Sequence, residues 1–205
     1  MLWTLPMVAL RTELEATQAA VRAQAELVVF APTSPSEIKS YIDWGTVGYA
    51  AWPPGSRTLR FGQAGYARAD DVVGHEYAHG VLDQVWSGHT TTGETGAIAE
   101  AICDFFGEMI DVAHTGNDSG DPAWAIGEDL TGGAVRDMSD PAAYDQPGWT
   151  GSTLYYVDDT GSTFVHTNAG VINHFLYLAA EGGSYLGVSV TGVGSTAVRD
   201  MLWEM

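Results

Sequence analysis

Apolar positions across residues 70–86 fall on nearly every side of a helix. Val72, Ala78, Val81, Leu82, Val85 and Trp86 cover most of its circumference and leave mainly the sector of His75 and His79 polar. Such a helix belongs in a core. Asp70 and Asp71 stand at its start, where carboxylates can accept free N–H groups and favour the helix dipole. A second helix is predicted over Gly96–Asp111, where Ile98, Ile102, Phe105 and Met109 form a stripe and Glu100 and Asp104 share another face. A third carries Val171, Ile172, Phe175, Leu176 and Ala179 on one side and is closed by Gly182 and Gly183. Towards the N-terminus, Arg11–Phe30 reads as an alanine- and glutamate-rich helix, broken by Pro32 and Pro35. The turn Trp52-Pro-Pro-Gly-Ser56 precedes a strand at Thr58–Gly62, and loops rich in Gly, Asp and Thr occupy residues 116–121 and 144–162. No internal repeat is visible.

The polar sector of the first helix carries the chemistry. His75 and His79 are four residues apart, so both imidazoles project from one face and can reach a single zinc ion. Glu76, one step round, points beside that ion, where a carboxylate can take a proton from water. The plainer alternative is a buried helix whose histidines hydrogen-bond to backbone. Catalytic zinc takes three protein ligands and keeps one position open. Glu100 could complete the set, with Asp104 holding a ligand histidine by its second ring nitrogen. A solvated acidic face would explain the same pair.

Composition narrows the field. With 45% hydrophobic residues, a chain of 205 residues has ample core for one domain or two small lobes. Eight basic residues face 26 acidic ones, a net charge of −18, so nucleic acid and anionic membranes are poor partners. Cys103 is the only cysteine, so no disulfide forms within the chain, and a buried small apolar role is expected for it. No apolar run approaches a membrane span. Met1–Leu10 is apolar but lacks the basic leader and cleavage site of a signal peptide.

Taken together, the motifs resemble the thermolysin-like zinc endopeptidases. His75-Glu76-x-x-His79 is followed by Glu100-x-x-x-Asp104 on a Gly-Ala-Ile helix, then by Trp124–Asp129, Arg136–Pro141, Val165–Gly170 and Gly187–Gly192, in the family's order. The resemblance implies an α+β fold. An N-terminal lobe (1–88), with a small sheet packed on the zinc-binding helix, would face a mainly helical lobe (89–205) across an active-site cleft. It implies zinc held by His75, His79 and Glu100, Glu76 as general base, His166 stabilising the oxyanion, and Asp104 orienting a ligand histidine. Arg136 would hold the peptide carbonyl and brace the site, and the backbone of Ala50 would pair with bound peptide, with Thr58–Gly62 as the edge strand. Val72, Ile126 and Val135 match apolar positions around the pocket for a bulky hydrophobic residue after the scissile bond. Peptide or protein substrates and an extracellular location follow by the same likeness.

The sequence also departs from that pattern. Tyr49 stands where the family has Asn. No tyrosine matches the one that assists His166: Thr91 falls nearest its place, and His89 is a candidate substitute. The carboxylate orienting the His166 equivalent falls in a changed loop, with Asp158 or Asp159 as candidates. Asp71, Asp111 and Glu128 match ligands of the family's calcium site, but Ala123 and Ala125 replace two further acids, so a single site is expected, helped by Asp118 or Asp121. Both ends look short for the family, which suggests a natural minimal form, an incomplete sequence or part of a longer protein, lacking a propeptide or further C-terminal helices. Missing helices would leave Val198, Leu202 and Trp203 exposed. The alternative function is a weak or silent metal- or peptide-binding relative, favoured by the lost Tyr and Asn and the short ends; the intact ligand set and Glu76 favour the enzyme.

Overall fold

The computed structural model describes residues 27–30, 37–42, 48–63, 65–86, 90–115, 124–157 and 161–204. The first elements form a four-stranded sheet of β1 (Leu27–Phe30), β2 (Glu37–Tyr41), β3 (Ala50–Ala51) and β4 (Thr58–Phe61), in the order β1-β2-β4-β3. β2 runs parallel to β4, while β1 and β3 pair antiparallel with their neighbours. Two expectations are corrected here. Leu27–Phe30 is a strand rather than the end of a helix, in keeping with its run of Val28, Val29 and Phe30. Thr58–Phe61 lies inside the sheet, and the edge belongs to β3, which carries Ala50. A two-residue strand has no periodicity to read, whereas the longer run of Thr58–Phe61 does.

Leu59 and Phe61 alternate with Thr58 and Arg60 and are buried, the period-2 pattern of a strand with one face on the core. That face packs, with Ile38 and Trp52, on Val73 and Tyr77 of the helix α1 (Asp70–Val85) and on Ile110 of α2 (Gly93–Thr115). α1 and α2 cross closely because glycines line the contact. A Cβ on Gly107 would sit 2.5 Å from the Asp71 carbonyl oxygen, and one on Gly74 would sit 3.1 Å from the Gly107 Cα. Gly80 admits the ring of Trp52, whose Nε1 donates to Asp83 at 2.7 Å. The glycines thus set the distance between the two helices that carry the candidate site.

The remaining elements are the ribbon β5 (Ala125–Ile126) and β6 (Arg136–Asp137), a 3-10 turn at Pro141–Tyr144, α3 (Val165–Glu181), the hairpin β7 (Gly182–Tyr185) and β8 (Val188–Thr191), and α4 (Ser195–Glu204). They enclose a second core of Phe105, Trp124, Ile126, Met138, Leu176, Ala180 and Val198. Val198, expected to be exposed, is 1% exposed. Leu202 packs on both helical clusters, whereas Trp203, although its ring meets Phe106, remains 39% exposed as expected. The architecture is α+β, and no described helix is long and apolar enough to cross a membrane.

Candidate metal centre

α1 presents His75, Glu76 and His79 towards Glu100 and Asp104 of α2. The Nε2 atoms of His75 and His79 lie 3.1 Å apart. Glu100 Oε2 lies 3.2 Å from the first and 3.5 Å from the second. Ligands about 2.0–2.1 Å from a tetrahedral zinc ion are separated by roughly 3.3–3.4 Å, so the triangle has the size such an ion requires. Glu100 Oε2 is buried and makes no well-aligned hydrogen bond despite three nitrogens within 3.5 Å, the third being His166 Nε2 at 3.2 Å. The two imidazole nitrogens are within hydrogen-bond distance of each other, but the buried Glu100 oxygen between them has no aligned donor, a need that a cation shared by all three would satisfy. Nitrogen and carboxylate donors also suit zinc chemically. The residues fit the ion.

Asp104 organises the site from behind. Its carboxylate is fully buried. Arg136 donates to it twice, from Nε at 2.8 Å and Nη2 at 2.6 Å, and Asn173 Nδ2 donates at 2.8 Å. His75 Nδ1 lies 2.8 Å from its Oδ1. Burial alone would raise Asp104, but the Arg136 charge and the His75 contact hold it well below the usual carboxylate range. The same contact works back on the histidine. Burial disfavours the charged ring, yet Asp104 and then Glu100 push His75 up to about 10. A cation on Nε2 would take the place of that proton.

Glu76 is 6% exposed; burial raises it, while His75 and His79 and a backbone hydrogen bond from Trp52 pull the other way. Trp52 directly follows the edge strand β3, so the candidate base is tied to the strand bearing Ala50. Burial also raises Glu100, but His166, His75 and His79 outweigh it and lower it well below its ordinary value. His166 stands in the first turn of α3 with its side chain 60% exposed and its Nε2 beside Glu100. Cys103 is buried and its thiol is pushed up by burial and the surrounding carboxylates, away from thiolate chemistry.

The other expected site residues are less uniformly gathered. Val72 packs with Ala69 and Leu130, whereas Ile126 is fully buried in the second core and Val135 is 41% exposed. Arg136 is committed to Asp104 through two of its donors. Tyr49 and Thr91 are exposed. His89, Asp118, Asp121, Ala123, Asp158 and Asp159 lie outside the described residues.

A second group of acids sits where α1, α2 and β5 meet. Asp71 accepts hydrogen bonds from Val72 N at 2.6 Å and from Gly127 N, and burial pushes it up to about 6. Glu108, 3% exposed, is pushed up to about 9 by burial and by Asp71, Glu128 and Asp111. Burial, then Asp71, likewise pushes Glu128 up to about 8, and its Oε2 is buried without a partner. Repelling carboxylates with an orphaned buried oxygen fit a hard cation such as calcium. Their oxygens do not all converge, however: His75, His79 and Glu100 are the only three-membered group of such ligands within 4.8 Å of one another among the described residues. Glu108 and Asn173 are the members of these sites that sequence reasoning missed. Their signal was spacing: Glu108 follows Asp104 by four residues, and Asn173 follows His166 by seven, each on one helix face.

Comparison with known proteins bears on this geometry. A family model described as the alpha-helical domain of thermolysin metallopeptidase matches residues 87–204, a span that holds Glu100, Asp104, Arg136 and His166 and begins after His79. A thermolysin of Alicyclobacillus acidocaldarius subsp. acidocaldarius and a bacillolysin of Bacillus caldolyticus are each 43% identical over 129 residues, which is 60% of this chain and 22% of theirs. A zinc metalloproteinase of Renibacterium salmoninarum is 34% identical over 161 residues, 75% of this chain and 28% of its own length. The chain spans less than a third of these curated relatives. Among solved structures, the precursor of protealysin, a metalloproteinase from Serratia proteamaculans, superposes with a TM-score of 0.58 at 24% identity, over 87% of this chain and 60% of that one; this is a likeness of fold.

Proposed function

We propose, from the premise that this chain belongs to the thermolysin metallopeptidase family, that it is a zinc-dependent endopeptidase. The observation that carries the reading is the convergence of His75 Nε2, His79 Nε2 and Glu100 Oε2 beside the buried carboxylate of Glu76. Those three residues would hold zinc, which would supply Lewis acidity towards water and the scissile carbonyl. Glu76 takes the proton of the attacking water and passes it to the leaving amine. His166 donates from Nε2 to the carbonyl oxygen as negative charge develops, which favours the transition state over the ground state. Arg136 fixes Asp104, and through it the ring of His75, while its remaining donors face the substrate carbonyl. An extended substrate adds to the outer edge of β3, with the Ala50 backbone as its partner.

The four-stranded sheet on α1 and the helices after residue 88 serve as two lobes, with the cleft between them. Val72, Val135 and Ile126 favour a bulky hydrophobic residue after the scissile bond, since burying such a side chain is worth roughly 1.5–3 kcal/mol. Calcium, held by Asp71, Glu108, Asp111 and Glu128, relieves their repulsion and locks α1 to α2 and β5. Secretion and a propeptide are the setting that the family resemblance implies. The second reading, a weak or silent peptide-binding relative, draws on the exposed Thr91 where the family carries its assisting tyrosine. Zinc analysis of the purified chain, followed by mass mapping of its digests, tests the proposal. One zinc per chain and cuts on the amino side of Leu, Phe, Ile or Val are expected; zinc binding without cleavage selects the second reading.

A further inference from the structure

Apart from the metal centre, the chain has a cavity of about 330 Å³ between the 3-10 turn, α3 and the β7 strand. His174 lies on its wall, two turns beyond His166 and roughly 12 Å further along the axis of α3. His174 is 6% exposed. Its Nδ1 is 3.2 Å from the carbonyl oxygen of Met138, which can only accept, so Nδ1 carries the proton. In the neutral ring Nε2 is then a bare acceptor, and this buried nitrogen has no hydrogen-bond partner. A buried polar atom without a partner is costly, which makes a missing donor the natural question at this position.

The surrounding surface indicates what kind of donor. Tyr177 stacks on the His174 ring at 6.0 Å, and Tyr185 meets it edge-on at 4.3 Å. Both tyrosines line the cavity, and so does the exposed Asp140; no lysine or arginine does. Acceptors, a carboxylate and aromatic faces without any positive charge suit a planar cation with several N–H groups. We propose that this cavity binds a guanidinium group, such as the side chain of an arginine residue in a peptide. Asp140 accepts from the guanidinium fork, Tyr177 takes one face of its plane, and one N–H reaches His174 Nε2. Nε2 is covered, so the Tyr185 ring turns aside as the group enters. Tyr185 is placed for this at the end of the β7 strand, next to β8, all four residues of which are exposed. The site does not depend on the metal-centre reading, because none of its residues touches the metal ligands in the contacts described.

The test uses Nα-acetyl-arginine amide and its neutral isostere Nα-acetyl-citrulline amide, titrated into the full chain by calorimetry and by NMR of the histidine Cε1–H signals. Saturable one-to-one binding of the arginine probe that moves the His174 signal is expected, with the citrulline probe at least tenfold weaker. Asp140→Asn, an exposed substitution that leaves the core alone, should weaken the arginine probe at least tenfold and leave peptide hydrolysis unchanged. Equal binding of the two probes, an unmoved His174 signal, or unchanged affinity in Asp140→Asn overturns the proposal. His174→Phe should abolish the interaction. If that variant does not fold, Asp140→Asn and the citrulline comparison still decide.

Discussion

At the scale of single residues, the candidate site separates groups that hold from groups that react. Asp104 holds: it is fully buried, takes donors from Arg136 and Asn173, and lies 2.8 Å from His75 Nδ1. His166, proposed to serve the oxyanion, is open: its side chain is 60% exposed and its Nε2 sits 3.2 Å from Glu100. His166→Ala should therefore lower kcat and kcat/KM together by about 10²–10³ while leaving KM nearly unchanged. Steady-state kinetics and melting of the same preparation check this; a fall in melting temperature with turnover of the folded fraction spared would make His166 a structural residue. That His75 and His79 share one face was legible from spacing, because i, i+4 geometry is fixed by the helix, while their chemistry rested on the family resemblance. Glu108 and Asn173 were not. A run of acids at 100, 104, 108 and 111 looks the same whether that face meets water or a neighbouring helix, and only tertiary packing decides.

Among the elements, the crossing of α1 and α2 is what brings two histidines and a glutamate into one triangle. Gly107 permits it, since any Cβ there would meet the Asp71 carbonyl oxygen at 2.5 Å. Gly107→Ala should force the helices apart, destabilise the chain by about 1–3 kcal/mol and weaken zinc affinity, as read by denaturant melts and competition with a chelator. Unchanged zinc affinity would mean that the triangle does not depend on that contact. The helices themselves were well marked by their apolar periodicity, although α2 and α3 extend beyond the segments that the pattern outlined. The sheet was harder. The sequence pattern predicts helix through Leu27–Phe30 and an edge strand at Thr58–Gly62, because strand order depends on partners far apart in sequence, such as Lys39 with Thr58.

Over the whole molecule, 26 acidic residues against 8 basic ones leave a strongly negative chain that nonetheless buries Asp71, Glu108 and one carboxylate oxygen of Glu128. A divalent cation would relieve the repulsion among these groups. Calcium at about a hundred times its dissociation constant should stabilise the fold by about 2.7 kcal/mol. That corresponds to a rise in melting temperature of roughly 5–10 °C for a chain of this size. The rise should disappear in Glu128→Gln, and an equal rise in that variant would place the effect elsewhere.

The central claim is that this chain cleaves peptide bonds with Glu76 as the base beside a zinc ion on His75, His79 and Glu100. Its most direct test is hydrolysis of an internally quenched peptide with a central Leu or Phe, by the zinc-loaded chain and by Glu76→Gln at equal zinc content. The amide matches the carboxylate in shape but cannot take the proton of water, so a loss of at least about 10²-fold with full zinc retention is expected. Comparable turnover by Glu76→Gln, or no hydrolysis by the zinc-loaded parent chain, would contradict the claim.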